Sequence, residues 1–204
     1  KDPGSALTHF IAMLGAGAAA VPLLLKAARE PDHIHFAALL IFIVSMILLY
    51  AASTIYHTLD ISDEVNKRLR KLDHMMIFIL IAGTYTPVCL IVLGDRSGYS
   101  LLALVWGIAI AGIIINALWI NCPKWFSSLI YIAMGWVCVL AIRQIILALP
   151  RAAFGWLLAG GIIYTVGGVI YALKLPYLIP DISISAHMRF FICLLWEEVS
   201  ATTL

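Results

Sequence analysis

The 204-residue chain is 63% hydrophobic and only 12% charged, with a mean hydropathy of +1.03. Ordinary soluble domains are about 45–50% apolar and about 25% charged, so a water-soluble core of this size cannot hide the excess, and lipid must solvate most of the surface. The net charge of +2 is small and its basic residues sit in short connectors, which excludes a nucleic-acid partner.

Along the chain, six apolar stretches are long enough to cross a hydrocarbon core of about 30 Å at about 1.5 Å rise per residue. They predict an all-α membrane bundle with spans at about 6–26, 34–57, 74–93, 101–120, 128–148 and 154–173. The connectors "AREPDH", "DISDEVNKRLRK", "GDRSGYS", "NCPKW", "LPRAAFG" and "KLPYLIPD" carry the breakers and charges expected between spans. Period-two alternation is absent, so strands are not expected. The sequence opens on Lys1 rather than Met, so the natural start is expected to be missing or trimmed. Ala6 to Leu25 reads as a first span, being too long and too well flanked for a cleaved signal peptide.

Lys and Arg in the short loops set the expected orientation. With the N-terminus inside, Lys1, Lys67, Arg68, Arg70, Lys71, Lys124 and Lys174 fall on the cytoplasmic side. Lys26, Arg29, Arg96, Arg143 and Arg151 fall outside. The "NKRLRK" run dominates that bias, and the chain is expected to be a multi-pass membrane protein in contact with lipid, with its N-terminus cytoplasmic. Nothing in the sequence specifies an oligomeric state.

Within the spans, "GAGAAA", Gly160–Gly161 and Gly167–Gly168 read as close-packing positions. Pro22 and Pro87 are expected to kink their helices. Trp106, Trp119, Trp125 and Trp156 read as interfacial anchors. The four cysteines show no CxxC pair, and Cys89 and Cys138 read as small apolar residues.

Ionisable groups inside a membrane are costly and mark functional candidates. "STIYH" closes the second span, and its Ser53 and His57 stand four apart on one helix face. "KLDHMMIFILIAGTYTP" opens the third span with Asp73 and His74. The loop between is short, so His57 and Asp73 are expected at the same membrane surface. An imidazole and a carboxylate at one depth suit a zinc-bound water. The competing reading is two polar helix ends at the interface, and one His alone cannot hold a catalytic zinc, which usually takes three protein ligands. His9 of "SALTHF" is expected to cap its helix or touch a lipid headgroup rather than ligate. His33 and His35 lie on the outer loop, at the wrong depth.

"PGSALTHF", "YAASTIYHTLD" and "RKLDHMMIFILIAGTYTP" resemble the hemolysin III family, bacterial relatives of the progestin and adipoQ receptors. The likeness runs to about Pro180. It implies a seven-helix scaffold, a cytoplasmic N-terminus and a zinc site near the cytoplasmic face. It also implies that His57 is a zinc ligand, that Asp73 holds the zinc-bound water, and that Ser53 belongs to the same motif. The remaining two ligands would come from an H-x-x-x-H motif opening the seventh helix.

That motif is missing. After "KLPYLIP" the chain has a single His187, and Phe190 to Trp196 supplies only about 10 Å of helix. Residues 181–204 therefore read as an aberrant tail in place of a seventh helix. Back-translated and read from each codon's third base, "HMRFFICLLWEEVSATT" can spell H-E-I-F-H-L-F-V-L-G-G-S, and "PDISISAH" can spell R-Y-F-H-F-G-A. A slip of the reading frame at or just before Pro180 accounts for both, and a tail that diverged as it stands is the alternative. Either way two expected ligands are absent. His187 falls beside the first of those positions and is the one candidate to replace it; Cys193 lies one position from the second.

The functional expectation is a zinc-dependent membrane hydrolase of a lipid amide or ester, with Asp73 and Ser53 as catalytic candidates and His57 and His187 as metal ligands. Zinc binding in this chain is expected to be weak or absent and activity poor. The alternative is a non-enzymatic cytolysin or pore former, or a regulator of membrane homeostasis. A pore needs a polar stripe, and the spans offer only isolated groups such as Asn116 and Arg143–Gln144.

Overall fold

The computed structural model describes residues 2–119 and 123–173. Every regular element among them is a helix: α1 (Pro3–Ala27), α2 (His33–Thr58), α3 (Asp63–Pro87), α4 (Arg96–Leu118), α5 (Lys124–Trp136), α6 (Ile142–Ala148) and α7 (Arg151–Leu173). A π-helical segment, Val88–Leu93, extends α3, and a 3₁₀ segment, Val137–Ala141, joins α5 to α6. Five helical stretches are long and apolar enough to cross a membrane: Pro3–Ala27, His33–Thr58, Asp63–Leu93, Arg96–Leu118 and Trp125–Ala148. The expected sixth span is helical over Arg151–Leu173, but its apolar run among the described residues is the shorter Leu157–Val166. The tail at 181–204 lies outside the described residues.

Short polar residues start the first four helices by accepting their orphan N–H groups. Asp2 accepts from the Ser5 N–H, Asp32 from Ile34, Ser62 from Val65 and Asp95 from Gly98. The third cap moves a boundary. Residues 63–71, expected as part of a connector, form the first turns of α3. Asp63 and Glu64 sit where the helix dipole favours negative charge, and Glu64 pairs with Arg68 at 2.5 Å, one turn on.

Pro87 ends the regular part of α3. It has no N–H to continue the ladder and its ring crowds the preceding turn, and the helix carries on with the wider π spacing. Gly94, at φ 59°, closes that segment by donating its N–H to the Cys89 carbonyl at 3.1 Å. The left-handed backbone there suits a residue without a Cβ.

The chain divides into two compact units, Lys1–Ile120 and Asn121–Leu204. In the first unit, α1 packs on α2, α2 on α3 and α3 on α4, so consecutive helices run antiparallel. Tyr50, Met46, Leu49, Phe78 and Val105 are fully buried between them, while Leu14, Val21 and Leu25 point outward at 56–60% exposure, as lipid-facing side chains do. In the second unit α5 packs on α7. Tyr164 crosses Gly135 and donates to the Tyr131 carbonyl at 2.7 Å, and the Trp136 indole donates to Thr165 at 2.8 Å.

Candidate functional site in the first helical unit

Close contacts on three helix pairs set the registers that build the site. On α2 and α3, a Cβ added to Gly83 would lie 2.7 Å from Ser45 Cβ and overlap its hydroxyl, so the two backbones touch at that level. Ten residues back along α3 from Gly83 is Asp73, and ten forward along α2 from Ser45 is Ile55. Both helices rise equally per residue, so Asp73 lies level with the Ser53–His57 turn. On α1 and α2, the Asp2 N–H donates to the His57 carbonyl at 3.2 Å, and the His9 and Tyr50 rings stack at 6.4 Å between centroids. On α3 and α4, the Phe78 ring fills the space a Cβ on Gly112 would take, 2.5 Å from that position, and Lys71 Nζ donates to the Ala117 carbonyl at 3.1 Å. That last register brings Asn116 level with Asp73.

One end of this unit therefore gathers Asp2, Ser5 and His9 from α1, Tyr50, Ser53, Tyr56 and His57 from α2, Asp73 and His74 from α3, and Asn116 from α4. Ser53 and Asp73 are buried, at 1% and 7% exposure, and the His57 side chain keeps 20%. Asp73 Oδ2 stands 3.6 Å from His74 Nδ1. The Ser53 hydroxyl is fully enclosed and has no hydrogen-bond partner among the described residues. His187 lies outside them.

His9 corrects an expectation. It neither caps α1 nor meets headgroups: it is 1% exposed, with its ring 5.6 Å from that of His57 and tilted by 48°. The cap belongs to Asp2, whose carboxylate accepts from the Ser5 N–H at 3.3 Å and the Ser5 hydroxyl at 2.6 Å and stands 3.6 Å from His57 Nδ1. The Ser5 hydroxyl bond holds the Asp2 carboxyl below its ordinary value of 3.8; partial burial opposes this, and the Ser5 N–H and His57 reinforce it. His33 and His35 open α2, at the far end from His57.

A model of the family described as Haemolysin-III related matches residues 1–196. The chain belongs to the hemolysin III family. Among its relatives, Hemolysin-3 of Bacillus cereus is 38% identical over 178 residues, covering 87% of this chain and 81% of that protein. The Hemolysin-3 homolog of Bacillus subtilis (strain 168) is 35% identical over 174 residues, covering 85% and 81% respectively.

The zinc that the family resemblance implies can be tested against these donors. A neutral imidazole and a buried carboxylate are suitable zinc partners, and an enclosed hydroxyl beside them suits a polar ligand. Yet no group of three His, Cys, Asp or Glu side chains among the described residues could hold a metal ion. The described part of this hemolysin III chain falls short of a complete zinc site.

Proposed function

We propose that this hemolysin III family member is a multi-pass protein of the cytoplasmic membrane, with its N-terminus inside and six spans on a scaffold built for seven. We read the Ser53–His57–Asp73 cluster as one wall of a zinc-dependent hydrolase site for a lipid amide or ester, impaired in this chain by loss of the C-terminal histidine pair. The observation that carries this reading is the register of α2 on α3, which brings a buried carboxylate level with an imidazole and an enclosed, unbonded hydroxyl. A buried hydroxyl without a partner costs about 1–3 kcal/mol, and groups kept at such a cost point to function.

Each residue has a role the geometry supports. His57 is the ligand this wall offers. Asp73, at the same level, positions the attacking water and takes its proton. Ser53 donates to the carbonyl oxygen as charge builds there. Zinc held there would lower the pKa of a water and polarise the carbonyl. The cluster lies within two turns of the end of α2, and acyl linkages of bilayer lipids sit near such helix ends, between hydrocarbon and headgroup.

Zinc analysis tests this. The purified chain is compared with a version carrying the restored seventh-helix frame and with His57→Ala in that version. About one zinc per restored chain, much less in the present chain and none after His57→Ala is the expected result. Equal zinc in the first two would show that the missing histidines do not matter. Membrane lysis by a metal-free chain, unchanged by His57→Ala, would replace the hydrolase reading with a cytolytic one.

A further inference from the structure

We propose that Asp2 is a positioning residue for His57: its carboxylate holds the proton on Nδ1 and leaves Nε2 as the nitrogen offered to the site. The inference rests on reading His57 as the site's working imidazole, and adds which of its two nitrogens works and what decides it.

Asp2 is fixed from three directions. Its Oδ1 accepts from the Ser5 N–H at 3.3 Å, its Oδ2 accepts from the Ser5 hydroxyl at 2.6 Å, and its own N–H donates to the His57 carbonyl at 3.2 Å. The last bond ties the start of α1 to the end of α2, next to the imidazole it faces. So held, Oδ2 stands 3.6 Å from His57 Nδ1. That is longer than a hydrogen bond but within charge contact, and a small rotation of the ring closes it. Two rings stand beside it, His9 at 5.6 Å and Tyr56 at 4.8 Å between centroids, and they crowd its rotation.

A neutral imidazole carries one proton, and its neighbours decide which nitrogen keeps it. A carboxylate at Nδ1 stabilises N–H there and puts the ring's lone pair on Nε2. Histidines that bind metal commonly donate their second nitrogen to a carboxylate or carbonyl in this way, and removing that partner typically costs about 10- to 100-fold in metal affinity. A His acting as a base needs the same arrangement. Asp2 is also the α1 N-cap, so one carboxylate starts the helix and sets the tautomer.

The test reads the tautomer directly. The full chain is labelled with ¹⁵N-histidine, reconstituted in bilayers and measured by solid-state NMR well above the ordinary imidazole pKa of about 6.5, with the His57 signal assigned by its loss in His57→Gln. Asp2→Ser keeps a good N-cap but cannot reach the ring, and Asp2→Asn keeps both a cap and an uncharged acceptor. The wild type is expected to hold mainly Nδ1–H. Asp2→Ser is expected to move the majority to Nε2–H, with Asp2→Asn between them. The same tautomer in all three overturns the proposal, and because Asn caps as well as Asp, that comparison stands even if the serine variant folds poorly. Titration of the restored-frame chain and its Asp2 variants with zinc separates the two claims. A tautomer shift accompanied by a 10- to 100-fold loss of zinc affinity supports both. A tautomer shift without any change in zinc affinity upholds the positioning role and removes His57 as a ligand.

Discussion

Gly83→Ala tests the contact on which the site's depth depends. The new Cβ would lie 2.7 Å from Ser45 Cβ, about 1 Å inside the roughly 3.5–4.0 Å at which carbon atoms pack best. It would also overlap the Ser45 hydroxyl, which is held to the Phe42 carbonyl at 2.6 Å. Ser45 Cβ cannot move without its helix, so overpacking of about 2–3 kcal/mol is expected, offset by the roughly 1 kcal/mol that Ala gains over Gly in a helix. The net loss of about 1–2 kcal/mol lowers the unfolding midpoint by roughly 2–8 °C for a chain of this size. Ser45→Gly removes both clashing atoms at a propensity cost of roughly 0.5 kcal/mol, less than the gain at position 83. The double variant Ser45→Gly/Gly83→Ala should therefore recover to within about 1 kcal/mol of wild type. Thermal unfolding of all four proteins in one detergent measures the cycle. A single variant as stable as wild type, or a double variant that fails to recover, would show that α2 and α3 do not meet at this register. Asp73 would then have no reason to lie level with His57.

Two further substitutions test the site and a loop. Ser53→Ala removes a hydroxyl with no partner among the described residues, so the melting temperature should hold or rise, while hydrolysis by the restored-frame chain falls by about 10²–10³-fold; a clear loss of stability would mean that the hydroxyl is bonded after all. At the start of α4, the Ser97 hydroxyl and the Gly98 N–H hold the Asp95 carboxyl below its ordinary value of 3.8. The folded value is depressed, so the stabilisation is fully present above 3.8 and fades as pH falls through the folded value. Acid titration of thermal stability should show the gap between wild type and Asp95→Ala closing below pH 3.8; a gap that stays constant through that range would refute the assignment.

Five of the six expected spans were legible as long apolar helices because length and apolarity are read directly from sequence, and the faces of "STIYH" because helical spacing sets Ser53 beside His57. The start of α3 was not, since hydropathy is blind to a helix made of charged residues. There Ser62, the first-turn acids and the Glu64–Arg68 pair do the work that burial does elsewhere. For the same reason Asp73 read as the first residue of a span, when it lies three turns inside a helix. His9 and Asp2 depend on how α1 slides along α2, a tertiary fact that no periodicity in either helix contains. A signal for Asp2 existed in the "DPGS" start, an Asp before a Pro at the first helical position and a Ser three residues on, but a cap signature does not say which helix end stands opposite. Asn116 read as an isolated polar group because its level on α4 is set by Phe78 and Gly112.

The two incomplete features of this chain bear on each other. A site that needs ligands from a seventh helix gains little from one wall alone, yet this wall is costly to keep: an enclosed hydroxyl, a buried carboxylate and two buried or half-buried imidazoles. Sequence drift under no demand for function should relax such a cluster first, because replacing Ser53 or Asp73 with an apolar residue relieves desolvation. The polar residues that the family resemblance implies are present in this chain, while the C-terminal H-x-x-x-H it implies is not. A single slip of the reading frame removes one segment at a stroke and leaves the rest untouched, whereas gradual divergence of the tail would leave the costly wall exposed to loss over the same period. On the proposed reading an abrupt origin is expected for residues 181–204, and codons in that segment that cannot encode the histidine pair in the displaced frame would refute it.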